Sequence, residues 1–278
     1  MIHKQSFAKI NLVLHVLGRR PDGYHDILSL MQRISLHDGM TFERRRAGIV
    51  CHCPGSGLPE DDGNIVCRAA RRFFSESGLS RGVEIAIQKS VPVAAGLGGG
   101  SSNAATTLTA LNEIYGHPLS HEELMRIGAG IGADVPFFLG DGPAWASGIG
   151  ERLTRISGLP RLPLVLVNPG FPLSTGTVYD ALKMGLTKAG IQYTIPSLTT
   201  VPDIIRELHN DLERVSLRLH PVLAKIKHQL TVYGASGALM SGSGPTVFGI
   251  FEDDADAKQA EERLERDGLG RVFRAVTV

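Results

Sequence analysis

The sequence predicts an α+β fold in two domains, and three observations lead to that prediction. Apolar and polar residues alternate at residues 7–16 and 83–87, which is the two-residue period of a β-strand. Longer segments carry apolar residues at the spacing of an amphipathic helix. The length of 278 residues suits one large domain or two of common size. A change of pattern near residue 158 gives the expected boundary, with domains at 1–158 and 159–278.

The first predicted strand carries two polar side chains on one face. Apolar residues recur at every second position from 10 to 16, so this strand is expected to bury one face. Lys9 and Asn11 then project side by side from the other face. The later elements of this half are expected in the order turn 20–23, strand 27–36, loop 54–63, helix from 65, strand 83–87, helix 101–115 and a helix opened by the capping box of Ser120 and Glu123.

Helices and strands are both expected in the second half of the chain. Its elements are predicted, in order, as a buried strand at 164–167, a helix-rich stretch at 203–233, two strands flanking a loop at 241–246, a helix at 255–267 and a closing strand at 271–278. The sequence contains no internal repeat and no low-complexity segment. Ordinary globular domains are therefore expected.

The composition argues against several classes of partner. A formal net charge of +1 gives no overall field for nucleic acid or an anionic membrane, and the basic run at 44–46 is expected to be a solvated turn. The sequence shows no signal peptide and no apolar run of membrane-spanning length, so we expect a cytoplasmic protein. We also expect a monomer or a weak homodimer. Three cysteines (Cys51, Cys53 and Cys67) are an odd number, which favours buried or loop thiols over disulfides or a metal site.

The segment 93–109 indicates phosphate binding. It places four glycines before two serines and a stretch of helical spacing, in the order Gly96, Leu97, Gly98, Gly99, Gly100, Ser101, Ser102 and Asn103. Glycine lets the backbone approach a ligand closely, and the first N–H groups of the following helix favour an anion. A plain surface loop is the alternative. The loop is not a P-loop, because no Gly-Lys-Ser/Thr ends it. Its glycine spacing does not match the dinucleotide-binding fingerprint, and the protein-kinase motifs are absent.

Phosphoryl transfer to an alcohol also needs a carboxylate and a cation near the acceptor hydroxyl. Asp134, in a Gly-Ala-Asp-Val-Pro turn, is the candidate carboxylate, and Lys9 is the candidate cation. For Asp134 the alternative is a helix N-cap, because it precedes Val-Pro. For Lys9 the alternative is an ordinary exposed lysine.

Three segments in this chain resemble the ordered motifs of the GHMP small-molecule kinases. They are residues 8–12 (Ala-Lys-Ile-Asn-Leu), residues 96–104 around the glycines, and residues 241–246 (Ser-Gly-Ser-Gly-Pro-Thr). Residues 19–25 and 132–137 further resemble one member of that superfamily, which acts on a cytidyl-linked substrate. The resemblance implies a two-domain α+β architecture with the active site in the interdomain cleft, the N-terminal domain binding nucleotide and the C-terminal domain lying on the substrate side.

The resemblance also implies a reaction and a set of residues. The expected reaction uses ATP and Mg²⁺ to phosphorylate the 2-hydroxyl of a cytidyl-linked methylerythritol in isoprenoid precursor synthesis. The residues that it implies are Lys9 and Asp134 for catalysis; Asn11, Tyr24, His25, Thr175 and Tyr179 for the substrate; and Asn64, Lys89, Gly96, Leu97, Gly98, Gly99, Gly100, Ser101, Ser102 and Asn103 for ATP, with Ser101 or Ser102 near the magnesium.

Two other functions remain open from the sequence. One is a different GHMP kinase, of the homoserine or mevalonate kinase type, which would have no pyrimidine for Tyr24 and His25 to hold. The other is a nucleotide-binding protein on the same scaffold without catalysis, against which the presence of both Asp134 and Lys9 argues.

Overall fold

The computed structural model describes residues 1–182 and 198–278. Its strands are β1 (Ile2–Arg19), β2 (His25–Arg45), β3 (Ile49–His52), β4 (Gly82–Gln88), β5 (Ala144–Gly148), β6 (Arg152–Arg155), β7 (Pro163–Asn168), β8 (His209–Asn210), β9 (Gly237–Met240), β10 (Val247–Ile250) and β11 (Arg271–Val276). Its helices are α1 (Ile65–Ser77), α2 (Gly99–Ile114), α3 (His121–Ile131), α4 (Val135–Leu139), α5 (Thr175–Ala181), α6 (Val201–Glu207), α7 (Asp211–Leu219), α8 (Val222–Val232) and α9 (Asp254–Asp267).

The chain divides into two compact units that are discontinuous in sequence. The first unit comprises Met1–Ala8, His37–Val93 and Gly98–Asp141, and the second comprises Lys9–Leu36, Ala94–Leu97 and Gly142–Val278. The long strands β1 and β2 contribute to both units. The expected domain limits, 1–158 and 159–278, stay a proposal.

The first unit packs helices against one part of a sheet. The end of β2 pairs antiparallel with β4, with Phe42 opposite Ile85, and β4 pairs parallel with β3. Helices α1 and α2 pack together, and the core between helices and sheet includes the fully buried Phe73. Local signals fix the helix ends: Asn64 caps α1 through its side chain, and the predicted capping box at the start of α3 is confirmed.

The second unit contains a four-stranded antiparallel sheet in the order β11-β7-β10-β9, with α8 and α9 among the helices packed on it. The first part of β2 pairs with β5, where Trp145 lies opposite Leu30 and is 3% exposed. Strand β8 pairs in parallel with β1 through Val13 and His209. This short pairing carries a segment from the second half of the chain to the strand that holds Lys9 and Asn11.

Three local predictions differ from the structure. Strand β1 buries both faces between residues 8 and 14, because other segments of the chain pack on the face expected to be exposed. Helix α2 begins at Gly99 rather than residue 101, because Gly98 in the left-handed conformation already ends the loop. Arg44 and Arg45 complete β2 instead of forming a turn, since β4 continues to pair with them.

The prediction that the cysteines are buried thiols is confirmed. All three are buried and unpaired by disulfides. In the described part of the chain, no helix combines the length and the apolar character needed to cross a membrane.

Candidate active site

Glycines at the amino end of α2 let other atoms come close to its main chain. Gly98 occupies the N-cap position with φ of 67° and therefore offers no side chain to the first helical N–H groups. Gly99 follows where a Cβ atom would lie 3.0 Å from Cγ1 of Val91 and 3.4 Å from Nζ of Lys89. Any larger residue would have to displace these neighbours. The glycines thus leave the positive end of the helix dipole uncovered by side chains of the loop itself.

A fully buried carboxylate, Asp38, organises the polar groups behind this helix end. Its Oδ2 accepts hydrogen bonds from Nζ of Lys89 and, at 2.9 Å, from Nδ2 of Asn103. Its Oδ1 accepts from the main-chain N–H groups of Ser90 and Val91 at 2.8 and 2.9 Å. All four acceptor positions of the carboxylate are therefore in use. Asp38 was not among the residues expected from the sequence.

Several side chains predicted to contact ATP are engaged inside the protein. The amide of Asn103 also donates to the Ser6 hydroxyl, which in turn donates to Ser102 at 2.8 Å. Asn64 caps α1 and donates from Nδ2 to the Pro59 carbonyl. Two serines were expected near magnesium. Of these, Ser102 is 2% exposed, whereas Ser101 is only partly buried. The predicted ATP contacts of these residues stay predictions.

Asp134 lies in the same unit as the amino end of α2. It stands at the N-cap position of α4, but its side chain makes no capping hydrogen bond, so the capping alternative is not what holds this carboxylate. Helix α4 packs on α2, and a Cβ atom built on Gly132 would lie 3.9 Å from Oγ of Ser101. The turn that carries Asp134 and Ser101 in the first turn of α2 are therefore neighbours.

Lys9 belongs to the second unit and is buried, contrary to the alternative of an exposed lysine. It is 5% exposed, and its Nζ donates to Oδ1 of Asn11 at 2.6 Å. The Asn11 amide donates to the Ser29 hydroxyl at 2.7 Å, and that hydroxyl donates to the carbonyl of Val13. A buried ammonium is costly unless it is hydrogen-bonded, so this chain of contacts fixes the lysine. Ser29 was another residue missed by the sequence analysis.

Two glycine-containing loops meet beside Lys9 and Asn11 in the second unit. The Ser241 hydroxyl donates to the Gly96 carbonyl at 2.9 Å and accepts from the main-chain N–H of Asn11 at 3.4 Å. A Cβ atom on Gly96, where φ is 76°, would lie 2.1 Å from the Ser241 carbonyl oxygen. The loop is held from behind by Asn210, whose Nδ2 donates to the carbonyls of Met240 and Gly242. Only glycine at 96 permits this approach.

Besides Asn11, four residues are predicted to bind the substrate: His25, Tyr179, Thr175 and Tyr24. The rings of His25 and Tyr179 lie 4.9 Å apart, and the Thr175 hydroxyl lies 2.9 Å from that of Ser243. Burial, and then the positive charge of a neighbouring arginine, lower the pKa of His25, which favours the neutral ring at pH 7. Tyr24 is 61% exposed. An accessible ring beside a neutral imidazole suits stacking and edge contacts with a base.

Each unit therefore contains some of the predicted site residues. In the first unit the structure brings together Asp134, the amino end of α2 and Lys89; in the second it brings together Lys9, Asn11 and Gly96, and His25 with Tyr179. The buried residues that the sequence analysis missed are Ser6, Ser29, Asp38 and Asn210. For Asn210 a signal was available, because Asn before an acidic first turn is typical of a helix N-cap, and its side chain does cap α7.

Comparison with known proteins supports the same class of fold. The model for the GHMP kinases N terminal domain matches residues 64–142, and that for GHMP kinases C terminal matches residues 194–269. A crystal structure of mevalonate kinase covers 100% of the chain with a TM-score of 0.72 at 14% identity, which shows the fold alone. These findings confirm the predicted α+β fold of the GHMP kinases.

Proteins of higher sequence identity indicate a particular family within the GHMP kinases. A 4-diphosphocytidyl-2-C-methyl-D-erythritol kinase of Syntrophus aciditrophicus is 54% identical over 98% of both chains, and that of Syntrophotalea carbinolica is 49% identical over 96% of this chain and 95% of its own. A crystal structure of 4-(cytidine 5'-diphospho)-2C-methyl-D-erythritol kinase covers 99% of both chains with a TM-score of 0.83 at 35% identity. The chain belongs to the 4-diphosphocytidyl-2-C-methyl-D-erythritol kinase family of the GHMP kinases.

The close approach at Gly96 can be tested by two matched substitutions. Gly96→Ala and Gly78→Ala both place alanine at a left-handed position, with φ of 76° and 66°, but a Cβ atom on Gly78 meets nothing within 4 Å. We expect Gly96→Ala to lower the free energy of unfolding by about 1–3 kcal/mol more than Gly78→Ala, the usual cost of overpacking. Urea unfolding of the two variants measures the difference. Equal losses would show that the loop accommodates a methyl group at 96.

Proposed function

We propose that the chain is an ATP-dependent kinase that phosphorylates the 2-hydroxyl of 4-diphosphocytidyl-2-C-methyl-D-erythritol, giving the 2-phosphate and ADP in isoprenoid precursor biosynthesis. One observation carries this proposal: the chain is 54% identical, over 98% of both chains, to a kinase named for that substrate. The glycine-rich helix start and the carboxylate of the first unit, and the buried lysine of the second, each support it. A small-molecule substrate, a cytoplasmic location and a monomeric or weakly dimeric state complete the proposal.

Recognition of the ATP phosphates is assigned to the main chain rather than to amide side chains. Both N–H groups of the Asn103 amide are already donated within the protein, to Ser6 and Asp38. The glycines at 98 and 99 instead expose the first N–H groups of α2. A row of N–H groups at a helix start binds phosphate oxygens without further side chains. Lys89, neutralised by Asp38, contributes to holding this end of the helix in place.

Asp134 is assigned to the acceptor hydroxyl, and Lys9 to the charge that develops on it. The Asp134 carboxylate, on the turn that neighbours Ser101, would accept the hydroxyl proton or orient that hydroxyl for attack on the γ-phosphorus. Lys9 is fixed by Asn11 and carries a positive charge in buried surroundings, where its electrostatic effect is stronger than in water. Asn11 thereby positions the lysine as well as lining the substrate side.

Magnesium fits the oxygen donors near the start of α2. Mg²⁺ prefers carboxylate, hydroxyl and phosphate oxygens and keeps several of its waters. Ser101 is partly buried and neighbours the turn that carries Asp134, whereas the buried Ser102 hydroxyl accepts a hydrogen bond from Ser6. We therefore assign Ser101, not Ser102, to the metal. The ion would neutralise phosphate charge during transfer.

The cytidyl group is assigned to the wall formed by Tyr24, His25 and Tyr179. The exposed Tyr24 ring offers a face for stacking, and a neutral His25 offers one donor and one acceptor to the base edge. Thr175, bonded to Ser243, lies at the start of the helix that carries Tyr179.

A substrate panel tests the proposed activity. Release of ADP is measured with ATP, Mg²⁺ and one of four acceptors: the cytidyl-linked methylerythritol, homoserine, mevalonate or galactose. We expect turnover with the cytidyl substrate alone, because only that acceptor uses the wall around His25. Turnover with homoserine or mevalonate would assign the chain to another GHMP kinase activity, and no turnover with any acceptor would favour a binding protein.

Removing the proton acceptor should separate chemistry from binding. Asp134→Asn keeps the shape of the side chain and is expected to lower kcat by about 10²-fold or more, the range for losing a general base. Affinity for ATP, measured by calorimetry, should stay near that of the parent. The matched control is Asp256→Asn, an exposed position in the first turn of α9. A kcat for Asp134→Asn within a few-fold of the control would remove Asp134 from the chemistry.

Removing the imidazole of His25 should raise the KM of one substrate only. His25→Ala is expected to raise KM for the cytidyl substrate about tenfold or more, since a base contact of this kind contributes on the order of 1–3 kcal/mol. KM for ATP should hardly change. His228→Ala, an exposed histidine of α8, serves as the control. If KM for both substrates rose together, His25 would have a structural role instead.

A further inference from the structure

Apart from the residues assigned to the reaction, two imidazoles and one carboxylate meet in the second unit. The parallel pairing of β1 with β8 sets Val13 opposite His209, and the same register continued brings His15 to Asp211. The His15 and His209 rings stack with their centroids 4.3 Å apart. Nε2 of His209 lies 2.7 Å from Oδ1 of Asp211, and Nδ1 of His15 lies 4.0 Å from Oδ2. One ligand atom from each residue lies within 4.8 Å of the others.

Each of these side chains is mounted on regular structure. His15 is in the long strand β1, His209 in β8, and Asp211 is the first residue of α7. The Asp211 carboxylate is oriented by the main chain, because Oδ2 accepts the N–H of Val16 at 2.7 Å. Ligands held in this way lose little freedom when an ion binds, which favours binding.

The cluster is open to solvent and its surroundings favour a cation. The side chains of His15, His209 and Asp211 are 33%, 45% and 34% exposed, so an ion can enter and keep water ligands. The carboxylate of Glu207, at the end of α6, adds a second negative charge that acts on His15. An anion would meet two carboxylates here.

We propose that His15, His209 and Asp211 form a binding site for a divalent transition-metal ion such as Zn²⁺. Two imidazole nitrogens and one carboxylate oxygen are a donor set that Zn²⁺ uses, with water in the remaining position. Metal–ligand bonds of about 2.0–2.2 Å place neighbouring donor atoms roughly 3.4 Å apart. The three donor atoms now lie within 4.8 Å of one another, so small side-chain rotations bring them to that distance. The ion takes the place of the hydrogen bond between His209 and Asp211, and the His209 ring carries its proton on Nδ1 instead of Nε2.

The proposed ion lies next to a segment that supports the active site. His209 and Asp211 flank Asn210, whose side chain holds the carbonyls of Met240 and Gly242. Binding at the junction of β8 and α7 therefore stiffens the support of the loop at 241–246. An ion that binds the folded chain but not the unfolded one also raises the melting temperature.

The test uses the full chain without a histidine tag and Zn²⁺ alone, with no nucleotide. Calorimetry of the parent should give saturable binding of one ion per chain. His209→Phe keeps a ring against His15 but removes both nitrogens, and it should weaken Zn²⁺ binding by about tenfold or more. The control His228→Phe, which replaces an exposed histidine of α8, should bind as the parent does. Zn²⁺ should raise the melting temperature of the parent and of the control, but not that of His209→Phe.

Three results would overturn the proposal: no saturable binding by the parent, parent-like binding by His209→Phe, or an equal loss in His228→Phe. If His209→Phe does not fold, as judged by its melting without metal, His15→Gln decides in its place, with the same loss expected. The outcome is independent of the kinase activity, because no substrate is present.

Discussion

The hydrogen bonds of the buried Asp38 carboxylate are the interactions on which the amino end of α2 depends. The carboxylate joins β2 to the segment after β4 through the N–H groups of Ser90 and Val91, and to α2 through Asn103. Its ion pair with Lys89 lies almost wholly out of water, where removing one partner typically costs about 3–5 kcal/mol. The direction of the amino end of α2 is therefore set before any ligand arrives, which is the condition for electrostatic preorganisation.

In the second unit, neutral groups hold the loops around Gly96 and Ser241 in place. The Ser241 hydroxyl bridges the main chains of Asn11 and Gly96, and Asn210 holds the neighbouring carbonyls. In both units, many of the polar side chains that were expected to contact ligands bind one another instead. Residue types that suggest ligand contacts in a sequence thus serve, in part, as the internal support of a ligand site.

Local features of the fold were predictable from sequence, whereas distant pairings were not. The capping box at Ser120 and the glycine-rich start of α2 depend on residues within a few positions of each other. The burial of Lys9 depends on a segment more than 80 residues later in the sequence. The main-chain N–H of Lys9 donates a hydrogen bond to the carbonyl of Leu97 in that segment. Asp38 stands in a strand pattern without a local signal, because its partners follow about fifty residues later. For Asp134, sequence could give the N-cap position but not the direction of the side chain.

The location of the chain's single tryptophan provides an optical reporter. Trp145 is buried opposite Leu30 in the second unit, and its indole N–H finds no hydrogen-bond partner among the described residues. We therefore expect the emission of an indole in apolar surroundings, which shifts to longer wavelength when water reaches β5. Tryptophan fluorescence follows the opening of that unit, whereas the far-ultraviolet circular dichroism of the helices follows both. Divergence of the two signals during denaturation would reveal that the units melt separately.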